Sequence, residues 1–242
     1  MKDWHIHIGQ YFDEYYDFHD VFHILKSNGV MECVLAYLTP KFDNVHNATN
    51  FYNSVVQEIK EARNYADKIA LKANILYWAD PLILETNPLE KIFSELEYNG
   101  IALHPLLHNW TTYYPQLLTK MFKFAQERNL PIFIHTGISE SDEPLQFESW
   151  FYNFPDAEVH LAHCKDSKAI IHLFKKFNNI YGDTAFCPFD SYAEICKAGF
   201  ENRMLFGSDF PISHYYTTHY SNKNISLEKQ YTMDLRGYKN AV

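Results

Sequence analysis

Asp3-Trp4-His5-Ile6-His7 near the amino end and Leu205-Phe206-Gly207-Ser208-Asp209-Phe210-Pro211 near the other end decide how this chain reads. The first is a strand with histidines at i and i+2. A strand alternates its side chains, so both imidazoles fall on one face, about 7 Å apart along the backbone. That spacing suits two nitrogen ligands on one divalent ion. The second is an apolar strand that ends in a carboxylate. Between them, Ile134-His135-Thr136 and Ala162-His163-Cys164 each close an apolar strand with a histidine. Three or four nitrogens and one carboxylate form the donor set of a catalytic metal site.

Outward from these segments, short apolar strands alternate with amphipathic stretches. Strands are expected at about 3–8, 31–38, 72–78, 100–104, 131–136, 157–163, 180–184 and 203–208. Helices are expected near 17–28, 50–68, 88–98, 113–129, 146–152, 166–178, 189–198 and 225–236. Ser27-Asn28-Gly29 and Asn99-Gly100 read as left-handed helix ends. Asn87-Pro88 reads as a helix start, and Arg128-Asn129-Leu130-Pro131 as a stop followed by a strand. Units of strand then helix at this period predict an α/β fold, a distorted (β/α)8 TIM barrel with its site at the C-terminal mouth. The alternative, an open doubly wound sheet, lacks its phosphate-binding glycine loop here. No linker or repeat divides the chain, so residues 1–242 are expected to form one domain.

Strand parity tests the metal site. Asp3, His5 and His7 should share the inner face of the first strand, with Trp4, Ile6 and Ile8 on the outer one. Phe133 pairs with His135, Val159 and Leu161 with His163, and Leu205 and Gly207 with Asp209. Each candidate ligand falls at the C-terminal end of its strand, where barrel enzymes hold their chemistry. Two inward imidazoles need a partner to offset the cost of burying them. His160 has the other parity and is expected to face the helices as a structural residue.

The 242 residues are 47% hydrophobic, 17% aromatic and 21% charged, with a net charge of −9. The composition is that of a soluble globular protein, and the absence of a basic run argues against a nucleic-acid surface. No apolar stretch approaches the roughly 18 residues of a membrane span, and the first residues lack the apolar region of a signal peptide. Cys33, Cys164, Cys187 and Cys196 form no C-x-x-C pair. Reduced thiols in the cytoplasm are the expectation.

The ordered segments D-W-H-I-H, G-I-A-L-H-P at 100–105, P-I-F-I-H-T-G at 131–137, L-A-H-C at 161–164, Y-G-D-T at 181–184 and R-M-L-F-G-S-D-F-P at 203–211 resemble the amidohydrolase superfamily. The closer resemblance is to its amidohydrolase-related branch, which holds hydrolases of lactones and related small molecules, and decarboxylases similar to aminocarboxymuconate-semialdehyde decarboxylase. The resemblance implies that His5, His7, His135 and Asp209 hold one ion, Zn2+ first and Mn2+ or another transition ion second. It implies that His163 stands beside the attacking water as acid and base, with Asp209 accepting a proton. In two-metal relatives, the fifth- and sixth-strand histidines bind a second ion bridged by a lysine or glutamate. Ala102 occupies the place where such a lysine often stands, which favours one ion. His104 shares its parity and is either a substrate contact or a structural histidine.

The reaction implied is metal-dependent hydrolysis of a small amide, ester or lactone. The alternative on the same scaffold is non-oxidative decarboxylation. A phosphoesterase of the polymerase-and-histidinol-phosphatase type also opens with H-x-H but leaves G-S-D-F-P unexplained, and a barrel that only binds a ligand is the non-enzymatic reading. Specificity should lie in the loops Gln10-Tyr11-Phe12, His108-Asn109-Trp110, Ile138 to Phe147 and His214-Tyr215-Tyr216, with Phe12, Trp110 and the strand-end His104 as candidate contacts; the aromatic walls suit a small, partly apolar substrate. No basic residue in the loops after the first, fourth, fifth and eighth strands offers itself as a carboxylate clamp, which favours hydrolysis. A decarboxylase would need the metal for that grip, or an arginine from a second subunit of a homodimer.

Overall fold

The computed structural model describes residues 1–221 and 223–241. Its strands are β1 (Lys2–Tyr11), β2 (Glu14–Tyr16), β3 (Glu32–Tyr37), β4 (Lys72–Trp78), β5 (Gly100–Leu103), β6 (Ile132–Ile134), β7 (Val159–Leu161), β8 (Ile180–Asp183) and β9 (Met204–Leu205). They form one sheet in the order β2-β1-β3-β4-β5-β6-β7-β8-β9. All neighbours pair in parallel except β2, which folds back on β1 as an antiparallel arm. The segment after β9 returns to β1: Trp4 N–H donates to the Phe206 carbonyl and His7 N–H to the Phe210 carbonyl, each at 2.8 Å. Asp209 N–H donates to the His5 carbonyl at 2.9 Å. These bonds close the distorted TIM barrel that the sequence predicts, with helices on its outside.

The strands and principal helices lie within a few residues of their expected positions. Asn28 ends the first helix and Asn129, at φ 53°, ends the helix Pro115–Arg128. The sequence reading omits β2 and the helices Pro81–Thr86, Pro105–His108, Trp110–Tyr113 and Ile212–Tyr220. The first three of these helices have six residues or fewer, too short for a 3.6-residue period to show. Among the described residues, no helix is long and apolar enough to cross a membrane.

Two parities differ from expectation, and both positions bear on the site. Between Asp3 and Ile6 the pairing of β1 with β3 slips by one residue, from Asp3 opposite Cys33 to Ile6 opposite Leu35. This bulge puts Trp4 inside with His5 and His7 and turns Asp3 outward. Asp3 there accepts hydrogen bonds from Ser208 Oγ at 2.7 Å and Tyr231 OH at 2.8 Å. On β7, Val159 and Leu161 face the helices, and His160 points into the barrel. Its ring stacks on Trp4, Phe133 and Tyr181 with centroids 5.1, 4.3 and 5.3 Å away. With Val34, Ala36, Leu76 and Ala102, these rings fill the lower barrel. The structural role expected for His160 therefore stands, but its side of the sheet does not.

The helix Leu227–Ala241 covers the seam between β1 and the segment after β9. Its Asp234 accepts from Ser213 Oγ at 2.8 Å and Gln230 Nε2 at 2.7 Å. Burial outweighs both bonds and raises its carboxyl to about 6. Folding thus favours the protonated form. That contribution is fully present below about pH 4 and is lost as pH rises through about 6, a span worth about 3 kcal/mol. Asp234→Asn should therefore stabilise the protein by about 1–2 kcal/mol at pH 7.5 and by much less at pH 4.5. Denaturant unfolding at the two pH values checks this, and an equal effect at both would contradict it.

Candidate active site

The candidate ligands converge because each of their rings is tied from behind. His5 donates from Nδ1 to Asp183 Oδ2 at 2.8 Å, and His7 donates from Nδ1 to the Ala36 carbonyl at 3.0 Å. Both Nε2 atoms are thereby aimed into one space, 3.1 Å apart. Asp209 Oδ1 lies 3.0 Å from His7 Nε2 and 3.5 Å from His5 Nε2. Donors bound at 2.0–2.1 Å to one ion stand roughly 3.0–3.4 Å apart, so these three atoms fit a common metal. Asp209 reaches the site from a left-handed backbone, φ 54°. Gly207 permits the approach of its strand, since a Cβ there would stand 2.8 Å from His5 Cβ.

Burial opposes a charge on His5, but Asp183 and Asp209 outweigh it and raise the imidazole to about 9. Burial likewise works against ionised Asp209, yet His5 and His7 hold its carboxyl below the usual range. The two carboxylates therefore call for positive charge at His5 Nε2. A divalent ion can supply that charge in place of the proton.

His163 leaves β7 through an uncommon turn. Its φ is 70°, that of Cys164 is 39°, and Cys164 N–H bonds the Ala162 carbonyl at 2.9 Å. This i to i+2 bond across a residue of positive φ is the rarer, strained form of γ-turn. His163 reaches the mouth because of it, not because of strand alternation. Asp183 Oδ1 accepts His163 N–H at 2.9 Å and Ala185 N–H at 3.1 Å. The ring donates from Nδ1 to the Ala185 carbonyl at 2.9 Å, which directs Nε2 toward His135 Nδ1, 3.0 Å away. Burial outweighs the charge of Asp209 and lowers the His163 pKa, so the ring is neutral at pH 7.

Among the described residues, two groups of acid and histidine side chains are close enough to share an ion: His5, His7 and Asp209, and His5, His163 and Asp183. In the second group both Asp183 oxygens are already engaged, so that group is read as positioning. His135 belongs to neither group. It stacks on His104 with centroids 4.1 Å apart, and its Nε2 lies 3.7 Å from Asp142 Oδ2, too far for a hydrogen bond. Burial, then the charges of His104 and His163, hold His135 well below the usual histidine range.

These groups line a cavity of about 430 Å3 that runs down to Val34, Ala36 and Phe133. His104 lines it too, neutral because burial pushes its pKa down to about 3. The other two expected substrate contacts lie elsewhere. Trp110 is fully buried in the core beneath the mouth. Phe12 turns outward at φ 51° and stacks on Tyr215, while its neighbour Tyr11 lines the cavity. Sequence reasoning also passed over two residues. Asp183 stands in the quoted Y-G-D-T with inward parity, and its place at a strand end was the available signal. Lys165, an exposed lysine two residues after His163, lines the cavity from the loop after β7, which is not among the loops whose sequence suggests a clamp.

A profile of the family described as Amidohydrolase matches residues 40–236, beginning after the H-x-H strand. Several solved structures share the fold. A probable 2-pyrone-4,6-dicarboxylic acid hydrolase from Acinetobacter baumannii, solved with citric acid, is 13% identical over 99% of this chain and 94% of its own, with a TM-score of 0.64. A dihydroxybenzoic acid decarboxylase from Polaromonas sp. JS666, solved with manganese and 2-nitroresorcinol, is 12% identical over 95% and 93%, with a TM-score of 0.60. A 5-carboxyvanillate decarboxylase from Novosphingobium aromaticivorans, also with manganese, is 11% identical over 87% and 76%, with a TM-score of 0.59. No protein of curated function matches the sequence significantly.

Because Asp183 fixes both His5 and the turn carrying His163, Asp183→Asn should leave a folded barrel with a misaligned donor set. Loss of such a supporting carboxylate typically weakens metal affinity by about 10–100-fold. Competition titration against a chromophoric chelator measures it, and unchanged affinity would remove the positioning role.

Proposed function

The chain belongs to the amidohydrolase family of enzymes, and from that premise we propose that it hydrolyses a small amide, ester or lactone at a single divalent ion held by His5, His7, His135 and Asp209. The observation that carries the proposal is the meeting of His5 Nε2, His7 Nε2 and Asp209 Oδ1 within ligand spacing, each imidazole anchored through its other nitrogen. His135, beside this group and kept neutral, is proposed as the fourth donor. A set of three nitrogens and one oxygen suits Zn2+; Mn2+, named in two of the similar structures, is the second choice. Ala102 supplies no group to bridge a second ion.

The ion would lower the pKa of water toward about 7 and polarise the substrate carbonyl. His163 holds the attacking water through Nε2, fixed by the bond from its Nδ1 to the Ala185 carbonyl. Asp209 accepts the proton from that water on its second oxygen, and the proton passes to the leaving group. The apolar lower cavity excludes bulk water around these transfers. A decarboxylase on the same scaffold is the second reading. Lys165 favours it, because a cation in the cavity supplies the carboxylate grip that the sequence reading had found missing.

Elemental analysis of protein purified without chelator should give close to one equivalent of metal per chain, lost in His5→Ala and in Asp209→Ala. His163→Ala should retain the metal and lose about 10²–10⁴ in kcat on whichever lactone, ester or amide the wild type turns over. Two equivalents would assign His135 and His163 to a second ion. A metal-free wild type with its fold intact would overturn the proposal, and CO2 release from a carboxylated aromatic would select the second reading.

A further inference from the structure

We infer that Asp142 is the positioning residue for His135: its carboxylate accepts the ring proton on Nε2, which leaves Nδ1 as the nitrogen that binds the ion. The inference rests on the reading of His135 as a ligand proposed above and names the residue that readies it.

His5 and His7 each donate from Nδ1 to a fixed oxygen, that of Asp183 or of the Ala36 carbonyl, and present Nε2. His135 is oriented the other way. Its Nδ1 stands 3.0 Å from His163 Nε2, and its Nε2 faces Asp142 Oδ2 at 3.7 Å. The His163 ring in turn lies 5.3 Å from that of His5, so Nδ1 is on the side of the other ligands. The tautomer of the metal-free protein follows from His163. That ring donates from Nδ1 to the Ala185 carbonyl, so its Nε2 is a lone pair and His135 must supply the proton from Nδ1. His135 Nε2 is then a lone pair facing a carboxylate. Two acceptors repel, and these stand about half an ångström beyond the range of a formed hydrogen bond.

The loop after β6 builds the carboxylate into its place. Asp142 is 3% exposed. Its Oδ1 accepts Ser139 N–H at 2.9 Å and also Ser139 Oγ–H, whereas Oδ2 accepts no hydrogen bond from the described residues. Gly137 N–H donates to the Asp142 carbonyl at 2.9 Å, and Asp142 N–H to the Ser139 carbonyl at 3.2 Å, which closes the loop on itself. The carboxylate lies against Gly137, where a Cβ would stand 2.2 Å from Oδ2. A buried carboxylate oxygen left unanswered is costly, and the His135 ring is the group in reach that can answer it.

A neutral imidazole carries one ring proton. Once Nδ1 gives its lone pair to an ion, that proton must sit on Nε2, where Asp142 Oδ2 accepts it. Histidine ligands commonly rest their second nitrogen on a carboxylate in this way. His135 also stacks on His104, with centroids 4.1 Å and planes 20° apart. The stack holds the plane of the ring, so the change is in which nitrogen bears the proton. The same exchange releases His163 Nε2, which the metal-free His135 occupies, for the attacking water.

Asp142→Asn separates this role from a structural one. Ser139 donates twice at the Oδ1 position, so the amide oxygen must take that place. The NH2 group then stands at the Oδ2 position and donates to His135 Nε2. The loop keeps its bonds, but the ring is held in the wrong tautomer. Competition with a chromophoric chelator measures zinc affinity. Long-range 1H–15N spectra of histidine-labelled protein report the tautomer, with His135 identified by the loss of its signals in His135→Gln. In the wild type, zinc should move the His135 proton from Nδ1 to Nε2. Asp142→Asn should bind zinc about 10–100-fold more weakly, while the metal-free variant melts close to the wild type. Unchanged affinity in Asp142→Asn, or a His135 that keeps its Nδ1 proton in the zinc-loaded wild type, overturns the positioning role; zinc still bound through His5 and Asp209 would leave the hydrolase reading standing. A wild type that takes up no metal overturns both. Should the variant not fold, the wild-type spectra alone decide.

Discussion

The Asp183 carboxylate is the junction on which the site depends. One oxygen accepts His5 Nδ1–H, and the other accepts the backbone N–H groups of His163 and Ala185. A carboxylate so buried would be costly alone. Three donors offset that cost, two of them backbone groups that would otherwise be orphaned in an unusual turn. One side chain at the end of β8 thus sets the ring of His5 on β1 and the backbone of His163 after β7. The strain of a γ-turn at a non-glycine residue is sustained because the surrounding bonds leave the chain no alternative.

Closure of the barrel serves the same end. β9 is two residues long, and the bonds that join the chain beyond it to β1 run along the segment carrying Gly207, Ser208 and Asp209. Asp3, turned outward by the bulge, clasps Ser208 and Tyr231 behind that seam. The proposed ligands His5 and Asp209 are therefore fixed by the contacts that shut the barrel. Stability at the seam and geometry in the site cannot be separated, and the helix Leu227–Ala241 contributes to both through Tyr231.

What the sequence made legible was whatever depends on period. Apolar strands closed by His135 and Asp209, helices stopped by Asn28 and Asn129, and the inward pair His5 and His7 all follow from alternation and turn chemistry. What it hid depends on single backbone departures. A one-residue bulge exchanged the faces of Asp3 and Trp4. A left-handed turn carried His163 to the mouth although β7 has the opposite parity, so the residue expected there arrives by a route that alternation does not give. Trp110 looks like a pocket wall on composition, but it sits on a four-residue helix whose packing the sequence does not announce. Lys165 was overlooked because its loop holds no aromatic cluster to mark it.

The γ-turn after β7 links the two halves of the site. In a regular strand, residues i and i+2 would share a face by pleating alone, and His163 would have faced the helices with Leu161. The turn instead rotates the chain at His163 and Cys164, bringing the proposed acid–base group and the cation of Lys165 to one cavity wall. The proposed ligand group approaches from β1 and the segment after β9 on the other side.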